Sequence, residues 1–193
     1  MNHSSHHYPY AGMRRLVGSL ACAVAGAAVV AATLSMALFP AAPTAASHAA
    51  APKWLSWNAA THTASLTLIA DYNGAIGGYN FNGYGKGKMT VTVPVGAHLS
   101  VTFSNRSAAL NHGFVITSYA KRTTTGPYPL AFNGASSTKP TIGTIKGKTE
   151  HDSFVAGKVG TYAILCAVPG HVETGMWDVF QVVKSGAAKI SFK

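Results

Sequence analysis

Acidic residues are scarce in this 193-residue chain, which has 5 Asp and Glu against 15 Lys and Arg and a formal charge of +10. Only 10% of the residues are charged, whereas 48% are hydrophobic. Because disordered proteins combine low hydrophobicity with high charge density, this composition excludes a chain that is disordered throughout. The length suits one domain of ordinary size. The basic residues are few and scattered, which argues against a nucleic-acid partner.

Cysteine is also scarce, with Cys22 in a long apolar run and Cys166 near the far end of the chain. Two cysteines placed in this way do not provide the disulfide framework of a small secreted domain. Cys166 is therefore expected to be a lone thiol, either buried as a small hydrophobic residue or bound to a metal. The residues around Cys22 form a poor lipidation signal.

The amino-terminal part contains an uncharged apolar run, residues 16–39, after a short polar segment, residues 1–15, that ends in two arginines. At a rise of about 1.5 Å per residue, a helix over this run can cross a bilayer. The arginines predict a cytoplasmic amino terminus and place the rest of the chain outside. A cleaved signal peptide is the alternative, because residues 47–49 resemble a cleavage site. We favour a retained anchor, since the run exceeds the usual signal core.

Residues 40–52 are rich in Ala and Pro and are predicted to be a linker that tethers the folded domain to the membrane. The domain itself is predicted to occupy residues 53–193. It contains 13 basic and 5 acidic residues, a net charge of +8, once the two arginines of the first segment are left out.

This domain is predicted to be an all-β sandwich. Short runs rich in β-branched and aromatic residues are separated by turns of Gly, Pro, Asn and Ser, and several of them alternate between apolar and polar. Such spacing is typical of a sandwich or barrel. Residues 119–140 interrupt it and are predicted to form a polar surface excursion. The predicted strands are 65–70, 88–93, 98–103, 113–117, 160–166 and 177–183.

One loop carries the residue types of a mononuclear copper site. Cys166, His171 and Met176 follow one another as Cys-x4-His-x4-Met around a Pro-Gly turn, between two predicted strands. Cu(I) prefers soft sulfur and Cu(II) accepts imidazole nitrogen. A site of two His, one Cys and a weakly bound axial Met therefore serves both oxidation states.

The second histidine must come from another part of the fold. His112 is the candidate, because it stands at the start of an apolar predicted strand whose end could meet the ligand loop. His62, His98 and His151 compete with it, although the sequence around the last two is typical of surface positions. Aromatic and proline residues could add an apolar shell around the metal or belong to the core, and two asparagines are predicted to be turn residues. These are Phe81, Phe114, Pro169 and Trp177, and Asn80 and Asn82.

Other kinds of site fit the loop less well. A dinuclear copper centre needs a second cysteine in the loop. A structural zinc site needs more Cys or His ligands, and Met is a poor zinc ligand. A Cys–His hydrolase needs an oxyanion site, for which no motif is present. The chain also has no P-loop, no GxGxxG motif before a helix and no pair of catalytic carboxylates.

These residues resemble the cupredoxins, the small blue copper proteins. The spacing of the ligand loop and its Gly-Met-Trp ending are similar to sulfocyanin, with rusticyanin a nearer relative than plastocyanin. Residues 79–84 (YNFNGY), 87–91 and 93–96 also resemble the amino-terminal half of sulfocyanin. One position departs from the family, since many cupredoxins carry Asn or Ser directly after the first ligand histidine. Here that position is Gly113, with Asn111 on the other side of His112.

The resemblance implies a cupredoxin-like Greek-key β-sandwich with one type 1 copper ion held by His112, Cys166, His171 and Met176. It implies a membrane-anchored one-electron carrier, not an enzyme, with its copper domain on the extracellular or periplasmic side of the cell membrane. The chain would act in aerobic respiration or iron oxidation in an acidophile, as a monomer. It would exchange electrons with a terminal oxidase, a cytochrome or another donor. The alternative is a copper-binding module for storage, delivery or surface contact without redox turnover.

Overall fold

Nine strands form two sheets in residues 53–193, the part of the chain that the computed structural model describes. The strands are β1 Leu55–Asn58, β2 Thr63–Ala70, β3 Met89–Pro94, β4 His98–Asn105, β5 Val115–Ser118, β6 Thr149–Val155, β7 Gly160–Leu165, β8 Trp177–Val183 and β9 Lys189–Phe192. One sheet has the order β1-β2-β4-β6 and the other β5-β7-β8-β3-β9. The predicted all-β sandwich is confirmed.

The chain alternates between the sheets, and this alternation produces two parallel strand pairs. From β2 it crosses to β3 in the second sheet and returns to β4, which pairs with β2 so that Leu66 lies beside Val101. In the same way β3 pairs with β8, with Val91 beside Phe180. Parallel neighbours cannot be joined by a hairpin. The sheets, and not local turns, therefore bring distant segments to the same end of the sandwich.

The main hydrophobic core lies between the two sheets. The first sheet contributes Leu68 and Phe103 and the second contributes Val91 and Phe180, and none of these side chains has any exposed surface. Alternate residues of each strand face this core, as the two-residue period of a strand requires. Full burial of a side chain of this size contributes about 1.5–3 kcal/mol. This core is therefore the main source of the stability of the fold.

A second, smaller cluster covers the outer face of β5 and β7. Both faces of the carboxyl-terminal half of β7 are consequently buried, which explains why this half is a continuous apolar run and does not alternate. The cluster consists of Val115, Ala163, Leu165, Ala167 and Val172, with Tyr119, Tyr128 and Trp177 packed against it.

Residues 119–140 differ from the predicted polar surface excursion, because they supply side chains to both clusters. Phe132 and Ala135 are buried in the main core. The segment also pairs with β5, where the backbone N–H of Ala131 donates to the carbonyl of Ile116. Its few apolar residues follow no period, so the sequence pattern alone did not reveal their burial.

All six predicted strands are present, with ends that differ from the prediction by at most two residues. Three further strands were missed. β1 and β9 have four residues each and lie at sheet edges. β6 places Glu150 and Asp152 on the same side as buried Phe154. Its inner face therefore lacks the apolar alternation by which a strand is recognised.

The helices of residues 53–193 are the short 3₁₀ segments Ala75–Gly78 and Tyr119–Thr123 and one α-helix, α1, His171–Thr174. None of them has the length and apolar character needed to cross a bilayer. The predicted anchor, residues 16–39, lies outside the described residues, as do residues 1–15 and 40–52.

Asn80 and Asn82, predicted to be turn residues, are buried amides that hold together the segment between β2 and β3. The Oδ1 atom of Asn82 accepts a hydrogen bond from the N–H of Ile69 (2.6 Å), and its Nδ2 donates to the carbonyl of Thr67 (2.9 Å). Asn80 makes three further side-chain hydrogen bonds to backbone groups of residues 72–83. The two amides therefore act as internal cross-links of this segment.

Asn82→Ala is expected to lower the free energy of unfolding by about 2–4 kcal/mol. The substitution removes the partner of one buried and one part-buried backbone group, and an unpaired buried group costs about 1–3 kcal/mol. Urea unfolding of the full-length protein measures the change. Asn133→Ala is the control, because Asn133 is exposed and surface substitutions change stability by about 0.5 kcal/mol or less. Equal stabilities of the two variants would contradict a cross-linking role for Asn82.

Candidate metal centre

Two chain segments bring the predicted metal ligands to one end of the sandwich. Cys166 follows directly after β7, His171 opens α1 and Met176 stands immediately before β8. The N–H of Cys166 donates a hydrogen bond to the carbonyl of Met176 (3.0 Å), and the N–H of Met176 donates one to the carbonyl of His171 (3.0 Å). His112 comes from the other segment, where it forms an isolated β-bridge with Thr144.

Two left-handed glycines bound the single turn of α1. Gly170 has a φ of 84° and Gly175 a φ of 111°, a region that costs a residue with a Cβ roughly 1–2 kcal/mol. At Gly175 a Cβ would also stand 2.6 Å from side-chain carbons of Lys86. These two turns fix the length of the loop and with it the spacing of its ligands.

The donor atoms of three residues face one another inside the protein. One ligand atom from each of His112, Cys166 and His171 lies within 4.8 Å of the other two. The Sγ atom of Cys166 is 3.3 Å from Nδ1 of His171 and 4.0 Å from Nδ1 of His112. His112, Cys166 and Met176 are fully buried, and 7% of the surface of His171 is exposed.

This arrangement fits a mononuclear type 1 copper ion. Two atoms bound to one metal at about 2.0–2.3 Å stand roughly 3.5 Å apart in a tetrahedral arrangement. The distances from Sγ of Cys166 to the two imidazole nitrogens, 3.3 and 4.0 Å, lie on either side of that separation. The Nε2 atom of His112 is buried without a hydrogen-bond partner. Packing and the contacts of its Nδ1 side therefore hold this ring.

Burial controls the protonation of the donors. It raises the pKa of the Cys166 thiol to about 11, against a hydrogen bond from the N–H of Gly113 that favours the thiolate. Burial, with repulsion by His171, lowers the pKa of His112 to about 4. Burial also lowers the pKa of His171. The imidazole of His112 is thus a neutral donor down to about pH 4, and the thiol loses its proton when a cation binds.

Gly113 is enclosed by the segment that passes over it. A Cβ at this position would stand 2.5 Å from the carbonyl oxygen of Pro140 and 3.0 Å from Oγ of Ser137. The N–H of Gly113 donates to Sγ of Cys166 (3.3 Å), and the N–H of Phe114 donates to Oγ of Ser137 (3.1 Å). A backbone N–H therefore joins the two ligand segments, and a hydroxyl from another part of the chain fills the space beside residue 113.

An aromatic wall, missed in the sequence, stands beside the imidazoles. The ring of Tyr79 packs edge-to-face on His171, with 4.8 Å between centroids, and its centroid is 6.3 Å from that of His112. Tyr79 is the first residue of the YNFNGY stretch, which carries part of the family resemblance. Its place in that stretch was the one sequence feature that could have identified Tyr79 as part of the site.

Of the four residues that could belong either to the core or to an apolar shell around the metal, two lie in the core. Phe81 and Phe114 are buried in the main core. Pro169 is exposed, and Trp177 is half-buried against the second cluster, on the outer face of β5 and β7. The competing histidines lie outside the donor cluster. All three are exposed: His62, His98 and His151.

The model of the sulfocyanin (SoxE) domain matches residues 50–191. Sulfocyanin of Sulfolobus acidocaldarius is 25% identical over 131 residues, which make up 64% of this chain and 65% of the relative. Rusticyanin of Acidithiobacillus ferrooxidans is 31% identical over 101 residues, 51% of this chain and 63% of the relative. The chain thus spans slightly under two-thirds of the length of these relatives.

Among solved structures, reduced auracyanin of the photosynthetic bacterium Roseiflexus castenholzii is similar to this chain, with 28% identity and a TM-score of 0.46. The similarity covers 62% of this chain and 96% of auracyanin.

Gly113→Ala is expected to destabilise the protein by about 1–3 kcal/mol, the usual cost of overpacking, and to weaken metal retention. The new methyl group would collide with the backbone of Pro140, and relief of that collision moves His112 and the N–H that reaches Cys166. Thermal unfolding and metal content after dialysis are the measurements. Gly157→Ala is the matched control, because a Cβ there meets nothing within 4 Å. Indistinguishable variants would rule out the tight enclosure of residue 113.

Proposed function

Because this chain belongs to the sulfocyanin family of blue copper proteins, we propose that it is a membrane-anchored one-electron carrier on the outer side of the cell membrane. The observation that carries the proposal is the buried cluster of His112, Cys166 and His171. The cofactor is one type 1 copper ion, for which Met176 completes the ligand pattern. Cupredoxins are electron-transfer proteins rather than enzymes, and four protein ligands leave no position for a substrate.

The residues of the site hold the ion in a fixed, dry environment. Bound copper supplies one-electron exchange between Cu(I) and Cu(II). Cys166 contributes the thiolate, His112 and His171 contribute neutral nitrogens, and Met176 contributes a thioether. Cys166, His112 and Met176 have no exposed surface, and His171 exposes 7% of its own. A thioether ligand, the apolar surroundings and the small number of hydrogen bonds to the thiolate would favour Cu(I) and raise the reduction potential.

The ligand nearest to solvent is His171, so we place the path of the electron at the edge of its ring. Exposed apolar side chains lie close to the ligand segments. Ile142, 62% exposed, accepts a hydrogen bond at its carbonyl from Asn111, and Pro169 belongs to the ligand loop. Small apolar contacts of this kind suit transient redox partners. We propose a terminal oxidase, a cytochrome or another electron donor as the partners of a monomeric carrier.

The proposed anchor is the uncharged run of residues 16–39, preceded by two arginines. This pattern supports a single-pass arrangement with the copper domain outside the cell membrane. Membership of the family supports a place in an aerobic respiratory or iron-oxidation chain.

The oxidised, copper-loaded full-length protein is expected to be intensely blue, and Cys166→Ala is expected to abolish the colour, because it removes the thiolate. Absorption spectra combined with metal analysis test this. His98→Ala, which changes an exposed histidine outside the cluster, is expected to leave the spectrum unchanged.

Repeated chemical reduction and reoxidation separates a carrier from a delivery protein. A carrier keeps its copper through many cycles, whereas a delivery protein transfers it to an added copper-free acceptor. A colourless protein with full copper occupancy would contradict the proposed function.

The scarcity of carboxylates supports an extension of the proposal to an acidic exterior. Paired, ionised carboxylates lose their stabilising effect as acid protonates them, and this domain has few of them. Asp152 differs from such carboxylates, because its protonated form is the one that the fold favours. Burial and repulsion by Glu150 raise its pKa from 3.8 to about 6. Its contribution to stability is therefore fully present below pH 3.8 and is lost as the pH rises through about 6.

Asp152→Asn is expected to raise the Tm near pH ~7, where the variant avoids an ionised carboxylate with one unpaired buried oxygen. Below pH ~3.5 the two proteins are expected to unfold at the same temperature, since the aspartate is then protonated in both states. Calorimetry across this pH range makes the comparison. Glu173→Gln is the control for loss of an exposed carboxylate. A Tm difference that does not depend on pH would contradict the linkage.

A further inference from the structure

One loop packs against the His112 segment and is fastened at both ends to the same carboxylate. This 138–144 loop ends at Thr144, whose N–H donates to the carbonyl of His112 (2.7 Å) and whose carbonyl accepts from the N–H of His112 (3.3 Å). The Oε2 atom of Glu150 accepts a hydrogen bond from the N–H of Thr138 (2.8 Å), and its Oε1 accepts one from Oγ1 of Thr144 (2.6 Å).

The 138–144 loop touches both ligand segments without spare room. A Cβ at Gly143 would stand 2.9 Å from the backbone nitrogen of His112 and 3.0 Å from a methyl carbon of Val168 in the ligand loop. A Cβ at Gly113 would likewise stand 2.5 Å from the carbonyl oxygen of Pro140, which belongs to this loop. A displacement of this loop therefore moves the first ligand histidine and presses on the loop that carries the other ligands.

Glu150 is placed to control the loop from outside the metal centre. It lies on β6, an edge strand of the first sheet, whereas His112 precedes β5 of the second sheet. Its carboxylate is half-buried and serves no metal ligand directly. On the carboxyl-terminal side of His112, residue 113 is a glycine and supplies no side chain, and on the other side Asn111 donates one long hydrogen bond (3.4 Å) to the carbonyl of Ile142 in the same loop.

We propose that Glu150 is a positioning residue of the copper site, which fixes the 138–144 loop and through Thr144 sets the position of His112. The inference rests on the proposed function only in taking His112 as a copper ligand. Hydrogen bonds to a carboxylate are about twice as strong as those between neutral groups. One side chain that receives two of them therefore holds the loop at both ends.

Glu150→Gln and Thr144→Val test the proposal in the full-length protein. The amide of glutamine keeps the shape of the side chain but offers one acceptor oxygen, and valine removes the hydroxyl of Thr144 while its backbone bonds to His112 remain possible.

The first readout is the rate of copper release to a chelator. Each variant is expected to release copper about 10-fold faster or more, the usual effect of losing a group that supports a ligand, and to shift the blue absorption band. The double variant is expected to match the stronger single variant, because both changes break one linkage.

Hydrogen exchange in the copper-free protein provides a readout that does not depend on the metal. The amides of Thr144 and His112 are expected to exchange faster in both variants than in the wild type. Asp152→Asn is the matched control, since it removes a carboxylate from the same strand. Its copper release and the exchange of Thr144 and His112 relative to the other core amides are expected to stay at wild-type values.

The proposal is overturned if both variants lower the Tm but keep the wild-type copper release, absorption band and exchange at Thr144, because Glu150 would then be only a stabilising residue. Failure of the wild type to bind copper would instead overturn the proposed function. The exchange rates at Thr144 would still decide whether Glu150 fixes the loop. If Glu150→Gln does not fold, Thr144→Val alone decides, since it leaves Glu150 and its bond to Thr138 in place.

Discussion

The removal of one thiol and two imidazoles from water is the constraint on which this structure depends. These donors can be buried cheaply only while they are uncharged, and burial itself keeps them so, because it raises the pKa of Cys166 to about 11 and lowers that of His112 to about 4. Such a pocket has to be closed by close packing, since water would restore the ordinary pKa values. The enclosure of Gly113, the wall of Tyr79 and the two-sided cover of β7 all serve that closure.

The parts of the site that chemistry dictates were readable in the sequence. Copper needs particular donor types, and a short loop between two strands can present them only at restricted spacing. The Cys-x4-His-x4-Met pattern therefore pointed to Cys166, His171 and Met176, and the start of an apolar strand pointed to His112. The six central strands were readable for a similar reason, because burial imposes a pattern on their residues.

The supporting residues were not readable, because their roles exist only in the folded chain. Ser137 covers the backbone beside His112 from a segment that was predicted to be a polar surface excursion. Glu150 looked like one acid in a polar run, since the strand that carries it turns carboxylates inward and loses the alternation that marks a strand. Three of the five acidic side chains of this domain accept hydrogen bonds from backbone or hydroxyl groups. Asp178, for example, joins β8 to the start of β3 through the N–H of Met89 (2.9 Å).

The cover on both faces of β7 also determines what happens to the protein before it acquires its metal. Cys166 has no exposed surface and is the single cysteine of residues 53–193. Sulfenic acid formation and disulfide exchange both begin with an accessible thiolate, and this thiol is neither accessible nor ionised. Burial therefore protects the Sγ atom of Cys166, a copper ligand, from oxidation while no metal is bound.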